Sequence, residues 1–154
     1  GAVAAKILKE MGITVTAYTK SIGPVEINMS EFDRNSIYTT ATCMPDKTAD
    51  EKAAAYLKEC MMNKDSAGGV VECIVEGLPA GVGDPVFEKL DANLAKALMS
   101  IGAVKAIEIG DGVQVSKAAG SENNDPFVCE NNVLSKKSNH AGGILGGISD
   151  GAPS

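Results

Sequence analysis

The chemistry this chain can offer is concentrated in one stretch, 138–151, Ser-Asn-His-Ala-Gly-Gly-Ile-Leu-Gly-Gly-Ile-Ser-Asp-Gly. It holds the only histidine, His140, and five glycines, four of them in two Gly-Gly pairs. An imidazole changes charge near neutral pH and can move a proton, although a lone histidine in a turn more often hydrogen-bonds backbone. Residues without a Cβ let successive N–H groups turn together into a concave nest that suits phosphate. The same run suits a tight turn in which backbone packs on backbone, which is the commoner use of glycine clusters. Neither Gly-x-x-x-x-Gly-Lys-Ser/Thr nor Gly-x-Gly-x-x-Gly between a strand and a helix is present. Glu72 and Glu76 share one face of an expected strand and could do acid–base work, but a solvated sheet face is the stronger reading of them. Cys43, Cys60, Cys73 and Cys129 are scattered with no Cys-x-x-Cys spacing, so inert thiols are expected and no metal site.

Composition narrows the partners. The 154 residues are 44% hydrophobic and 22% charged, with a formal net charge of −6. A chain this acidic has no basic stripe to neutralise phosphates, which argues against general nucleic-acid binding. No apolar run approaches the length needed to cross a membrane. The length suggests a single domain, large enough to bury about 70% of its unfolded surface.

The elements that must position the glycine-rich stretch follow from periodicity. Residues 1–11 read as a helix without a capping side chain, ended by Gly12, and the strand after it places Ile13, Val15 and Ala17 on its buried face. Ile22–Ile27 suggests a short edge strand, with Pro24 keeping it off the sheet centre. Thr48-Ala-Asp-Glu51 reads as a capping box for a helix over 49–63. Gly69–Glu76 is expected as a strand. Asp84 and Pro85 are expected to start a helix over 85–101, buried through Phe87, Leu90, Leu94, Leu98 and Ile101. Val104–Ile109 is expected to close a strand–helix–strand crossover. Residues 117–137 lack periodicity and read as a long flexible loop. Ala5–Gly12 echoes Ala95–Gly102, which suggests two related halves. The class is therefore mixed α/β (α+β).

Several long motifs occur in one order: Asp65-Ser-Ala-Gly-Gly-Val-Val-Glu-Cys73, Gly77-Leu-Pro-Ala-Gly-Val-Gly-Asp-Pro-Val-Phe87, Lys89-Leu-Asp-Ala92, Ala97-Leu-Met-Ser-Ile101, Glu108-Ile-Gly-Asp-Gly112, Gly120-Ser-Glu-Asn-Asn-Asp125 and Asn139-His-Ala-Gly-Gly-Ile-Leu-Gly-Gly-Ile-Ser149. In this order they resemble chorismate synthase, with 1–20 fitting as well and 21–64 only loosely. The resemblance implies a β-α-β sandwich with internal pseudo-symmetry, of which 1–154 is a single partial domain and an internal piece. It implies conversion of 5-enolpyruvylshikimate 3-phosphate to chorismate by 1,4-elimination of phosphate with reduced FMN, in a cytoplasmic homotetramer. The pair after the long helix, here Gly102-Ala103 where many members have Asn-Ala, and the second Gly-Gly pair, Gly146 and Gly147, are the flavin contacts it implies. It assigns no catalytic residue to this stretch, because the family's paired histidines and substrate-binding arginines belong to other segments. The chain's single arginine, Arg34, lies in the loosely matching region. A different class stays open on the residues alone: a stand-alone α/β binding or subunit-assembly module whose glycine-rich turn packs or binds an anion.

Overall fold

The computed structural model describes residues 1–130 and 133–154. Length alone suggests one domain, but the backbone separates into two compact units, Gly1–Val15 with Ile74–Ser154 and Thr16–Cys73.

A three-stranded sheet has the order β2-β1-β3, with β1 Thr14–Ile22, β2 Val25–Glu26 and β3 Gly69–Glu76. β2 pairs antiparallel with β1 across the Gly23-Pro24 turn and lies at the edge, as Pro24 requires. The buried face of β1 is the reverse of the one expected after Ile13. Thr16 and Tyr18 point inward while Val15 and Ala17 are exposed. Tyr18, only 1% exposed, can be buried because its hydroxyl donates to Glu72 Oε1 at 2.6 Å, and Lys20 Nζ holds the other oxygen of that carboxylate at 2.6 Å. Glu72 is thus a structural acceptor rather than half of an acid–base pair.

Helix α2 spans Lys47–Met62 and buries Ala49 and Ala53. Its cap is Asp46, not Thr48: the Asp46 carboxylate accepts from Ala49 N and Asn28 N, each at 3.0 Å. One buried carboxylate therefore ends the preceding loop and starts the helix, and the helix begins two residues earlier than a Thr48 cap allows. Ile27, Ile37, Met44 and Pro45 are buried in the same unit. Arg34–Tyr38 is a 3-10 turn, capped by Asp33 through Asn35 N.

The first unit carries α1 (Ala2–Glu10) and α3 (Leu90–Met99). α3 is shorter than the expected 85–101. Pro85–Glu88 form a turn in which Val86 has φ 67°, and Phe87 is 86% exposed rather than buried. Asp84 does not cap the helix; its N–H donates to Glu88 O, which closes the turn. Leu94 is half-buried and Leu98 exposed, so the expected stripe is only partly covered. Val104–Ile109 joins no ladder among the described residues, which leaves the expected crossover unformed. The echo between the helix ends also breaks: Gly12 takes φ 79° after α1, whereas after α3 the left-handed residue is Ala103, at φ 70°.

The largest departure is at 117–137. Phe127–Glu130 (β4) pairs antiparallel with Val133–Lys136 (β5), so a hairpin stands where a loop is expected, while residues 131–132 lie outside the described residues. Val133-Leu134-Ser135-Lys136 is two apolar residues followed by two polar ones, with no alternation to signal a strand, and the ladder comes from cross-strand pairing instead.

Candidate functional site

The glycine-rich stretch folds into a miniature hairpin, β6 (Ile144–Leu145) against β7 (Ile148–Ser149). Gly146 and Gly147 are its two-residue turn, with φ 60° and 86°. Positive φ at both central positions is what a type I′ turn needs, and glycine supplies it without strain. Ile144 is buried beneath the hairpin, Gly146 is exposed at its tip and Gly147 is buried.

The other motifs converge on this hairpin. The 79–84 loop is sewn to β7: Ser149 Oγ donates to Pro79 O at 2.6 Å and accepts from Val82 N at 2.8 Å, while Ser149 N donates to Val82 O. Gly147 O accepts from Leu90 N at 2.7 Å, which ties the turn to the first residue of α3. Gly110 lies so close to His140 O and Ala141 that no Cβ fits there, and Asp111 N donates to His140 O at 2.9 Å.

The His140 ring meets a carboxylate rather than backbone. Its Nδ1 lies 2.6 Å from Asp111 Oδ2, both side chains being partly exposed. A carboxylate at Nδ1 orients the ring and favours the tautomer with Nε2 as acceptor. The amide nest expected in this stretch does exist, but it is filled from within. His140 N and Ala141 N converge on Asp125, donating to Oδ1 at 2.8 Å and Oδ2 at 2.9 Å. Ser138 Oγ adds a third bond at 2.7 Å. Burial opposes the charge on Asp125, but the bonds from Ala141 N, Ser138 Oγ and His140 N, with Lys136 nearby, outweigh it. The carboxyl is held far below its ordinary 3.8. A phosphate therefore has no vacant nest at these amides.

A family model described as chorismate synthase matches residues 1–153. The chain belongs to the chorismate synthase family. It is 56% identical over 153 residues to the chorismate synthase of Agathobacter rectalis, covering 99% of this chain and 42% of that one. It is 45% identical over 157 residues to that of Methanococcoides burtonii, again with 99% of this chain and 42% of the relative. A crystal structure of chorismate synthase superposes with a TM-score of 0.89 at 30% identity, over 99% of this chain and 50% of that one. The chain thus spans about two fifths of the length of the curated relatives it matches. Among the described residues, no helix is long and apolar enough to cross a membrane, and no group of three His, Cys, Asp or Glu could hold a metal ion.

Within the chorismate synthase fold, the four residues expected at the flavin have different surroundings. Gly102 and Ala103 are both exposed just beyond α3. A Cβ on Gly102 would meet no atom within 4 Å. Ala103 holds φ 70°, a left-handed conformation costing a non-glycine residue roughly 1–2 kcal/mol, and such outliers cluster at functional sites. Gly146 is likewise open, and a Cβ there would have no neighbour within 4 Å. Gly147 is the exception: its carbonyl serves Leu90, and a Cβ there would lie 2.5 Å from Lys89 side-chain carbons. Asp125 and Lys136 were invisible to sequence reasoning as part of this assembly. The available signal was that Asp125 ends one motif block and Asn139 opens the next.

Proposed function

We propose that this chain forms part of a chorismate synthase that converts 5-enolpyruvylshikimate 3-phosphate to chorismate and inorganic phosphate. The single observation carrying the reading is the family match across residues 1–153. In the 1,4-elimination the carbon–oxygen bond to phosphate breaks, a ring proton is lost, and a new carbon–carbon double bond forms. Reduced FMN, when bound, lends electron density transiently as phosphate departs, with no net redox change.

The chain's own contribution is a backbone wall. Exposed, unobstructed backbone at Gly102, Ala103 and Gly146 fits close approach of a planar ring system. Gly147 does not fit such contact. Its buried carbonyl orients the turn from behind, and we assign it to packing. A doubly carboxylated, phosphorylated substrate calls for arginine forks, and elimination calls for a proton carrier. With one arginine and one histidine in the chain, these groups come from other segments of the intact enzyme. The intact protein is read as a cytoplasmic homotetramer, as in the family.

Two proteins test the reading. One is the 154-residue chain alone. The other is the Agathobacter rectalis chorismate synthase with residues 1–153 of this chain replacing its matching segment. With reduced FMN and substrate supplied, the chimera should form chorismate and the isolated chain should not. A folded chimera without turnover would refute the assignment, and turnover by the chain alone would refute the division of labour.

A further inference from the structure

The glycine-rich stretch poses a conformational problem. Gly142, Gly143, Gly146 and Gly147 all hold positive φ within six residues, and glycine loses more backbone freedom on ordering than any other residue. Two short strands of two residues each are little to hold such a segment in one conformation. Something else must restrain its two ends.

The restraint is a buried ion network. Lys136 Nζ lies 2.6 Å from Asp150 Oδ2 and 3.5 Å from Asp125 Oδ2. The three side chains are only 5%, 10% and 3% exposed, in the order Lys136, Asp150, Asp125. Asp125 grips the entrance to the stretch through Ser138 Oγ, His140 N and Ala141 N. Asp150 grips the exit: its N–H donates to Gly143 O at 2.9 Å, and its Oδ1 accepts from Ala152 N at 2.9 Å. Lys136 joins entrance to exit, and it is carried at the end of the β4–β5 hairpin, opposite Phe127. Buried ion networks seldom add much net stability, and their best-attested use is to select one conformation among several.

We propose that Asp125, Lys136 and Asp150 are positioning residues that clamp both ends of the glycine-rich hairpin and so present Gly146 to the flavin. The proposal rests on reading Gly146 as a flavin contact. With its side chains this little exposed, the network acts through the hairpin's backbone. Its removal therefore weakens flavin binding while leaving recognition of the phosphorylated substrate unchanged.

The chimera described above provides the test, with FMN affinity read by fluorescence titration under oxidising conditions and kcat and KM read with reduced FMN. Lys136→Met should weaken FMN binding at least fivefold with the substrate KM within twofold, and Lys136→Arg should restore the affinity to within threefold. If Lys136→Met does not fold, Asp150→Asn and Ser138→Ala, which each remove one bond of the network, should weaken FMN binding at least twofold. Unchanged FMN affinity in the folded variants overturns the proposal, as does a loss that falls equally on substrate KM. Gly146→Val separates the two readings. If it leaves FMN affinity unchanged, the contact assignment fails; if it weakens binding while the network variants do not, only the clamp fails.

Discussion

Gly146 and Gly147 are neighbours of one residue type in one turn, yet the structure gives them opposite sensitivities. Valine at Gly146 must adopt φ 60°, which strains an L-residue by about 1–2 kcal/mol, but its side chain enters open space. Valine at Gly147 incurs the same backbone strain of about 1–2 kcal/mol and two further costs. Its Cβ would sit 2.5 Å from Cβ, Cγ and Cδ of Lys89, the near end of that side chain, so overpacking adds about 1–3 kcal/mol. Displacing the Gly147 carbonyl from Leu90 N would forfeit roughly 0.5–1.5 kcal/mol more. The stability loss at Gly147 should thus exceed that at Gly146 by about 1.5–4.5 kcal/mol, readable in urea unfolding of the chimera as separated midpoints. Flavin affinity should show the reverse order: Gly146→Val weakens it more than its stability cost explains, whereas any folded Gly147→Val binds flavin closer to the parent. Equal unfolding midpoints would show that the two glycines are interchangeable turn residues, and the reasoning from their surroundings would fail.

Gly102→Asn places a side chain where no atom lies within 4 Å and restores the amide common in the family, so it should tighten FMN binding in the same titration. The Asp125 carboxyl is held below its ordinary 3.8, so its contribution to stability is complete above that value and is lost as pH falls through the depressed one. Asp125→Asn lacks this contribution, and the stability gap between parent and variant should narrow from about pH 5 downward in denaturation at graded pH. A gap that widens on acidification would reverse the sign and refute the hydrogen-bonding account. Asp46→Ala should cost about 1–2 kcal/mol by removing the α2 cap, while Thr48→Ala should stay within about 0.5 kcal/mol. Equal costs in chemical denaturation would restore the Thr48 capping box.

Much of the local structure was legible from residue order. The α2 and β3 segments, the edge position of β2 and the helix at 2–10 all follow from periodicity, proline and glycine placement. The errors share a cause. Asp46 outcompeted Thr48 as cap because its carboxylate also accepts from Asn28 N, a partner eighteen residues away. Tyr18 turned inward because Glu72, fifty-four residues on, accepts a hydrogen bond from its hydroxyl. The pairing of Phe127–Glu130 with Val133–Lys136 is not legible in the sequence because neither strand has an alternation of its own.

Order and wording of the motif blocks, read without any coordinates, determined the family of this chain and marked 138–151 as its centre. Family motifs are one-dimensional signals, so they survive in residue order alone. Tertiary structure alone decided what each member of that centre faces. It filled the amide nest with Asp125, turned Gly147 toward α3 and Gly146 toward solvent, and put Lys136 between two carboxylates. Those outcomes depend on which distant groups arrive within hydrogen-bonding reach. A buried charge or amide accepts whichever partner the fold delivers, and no local pattern encodes that delivery.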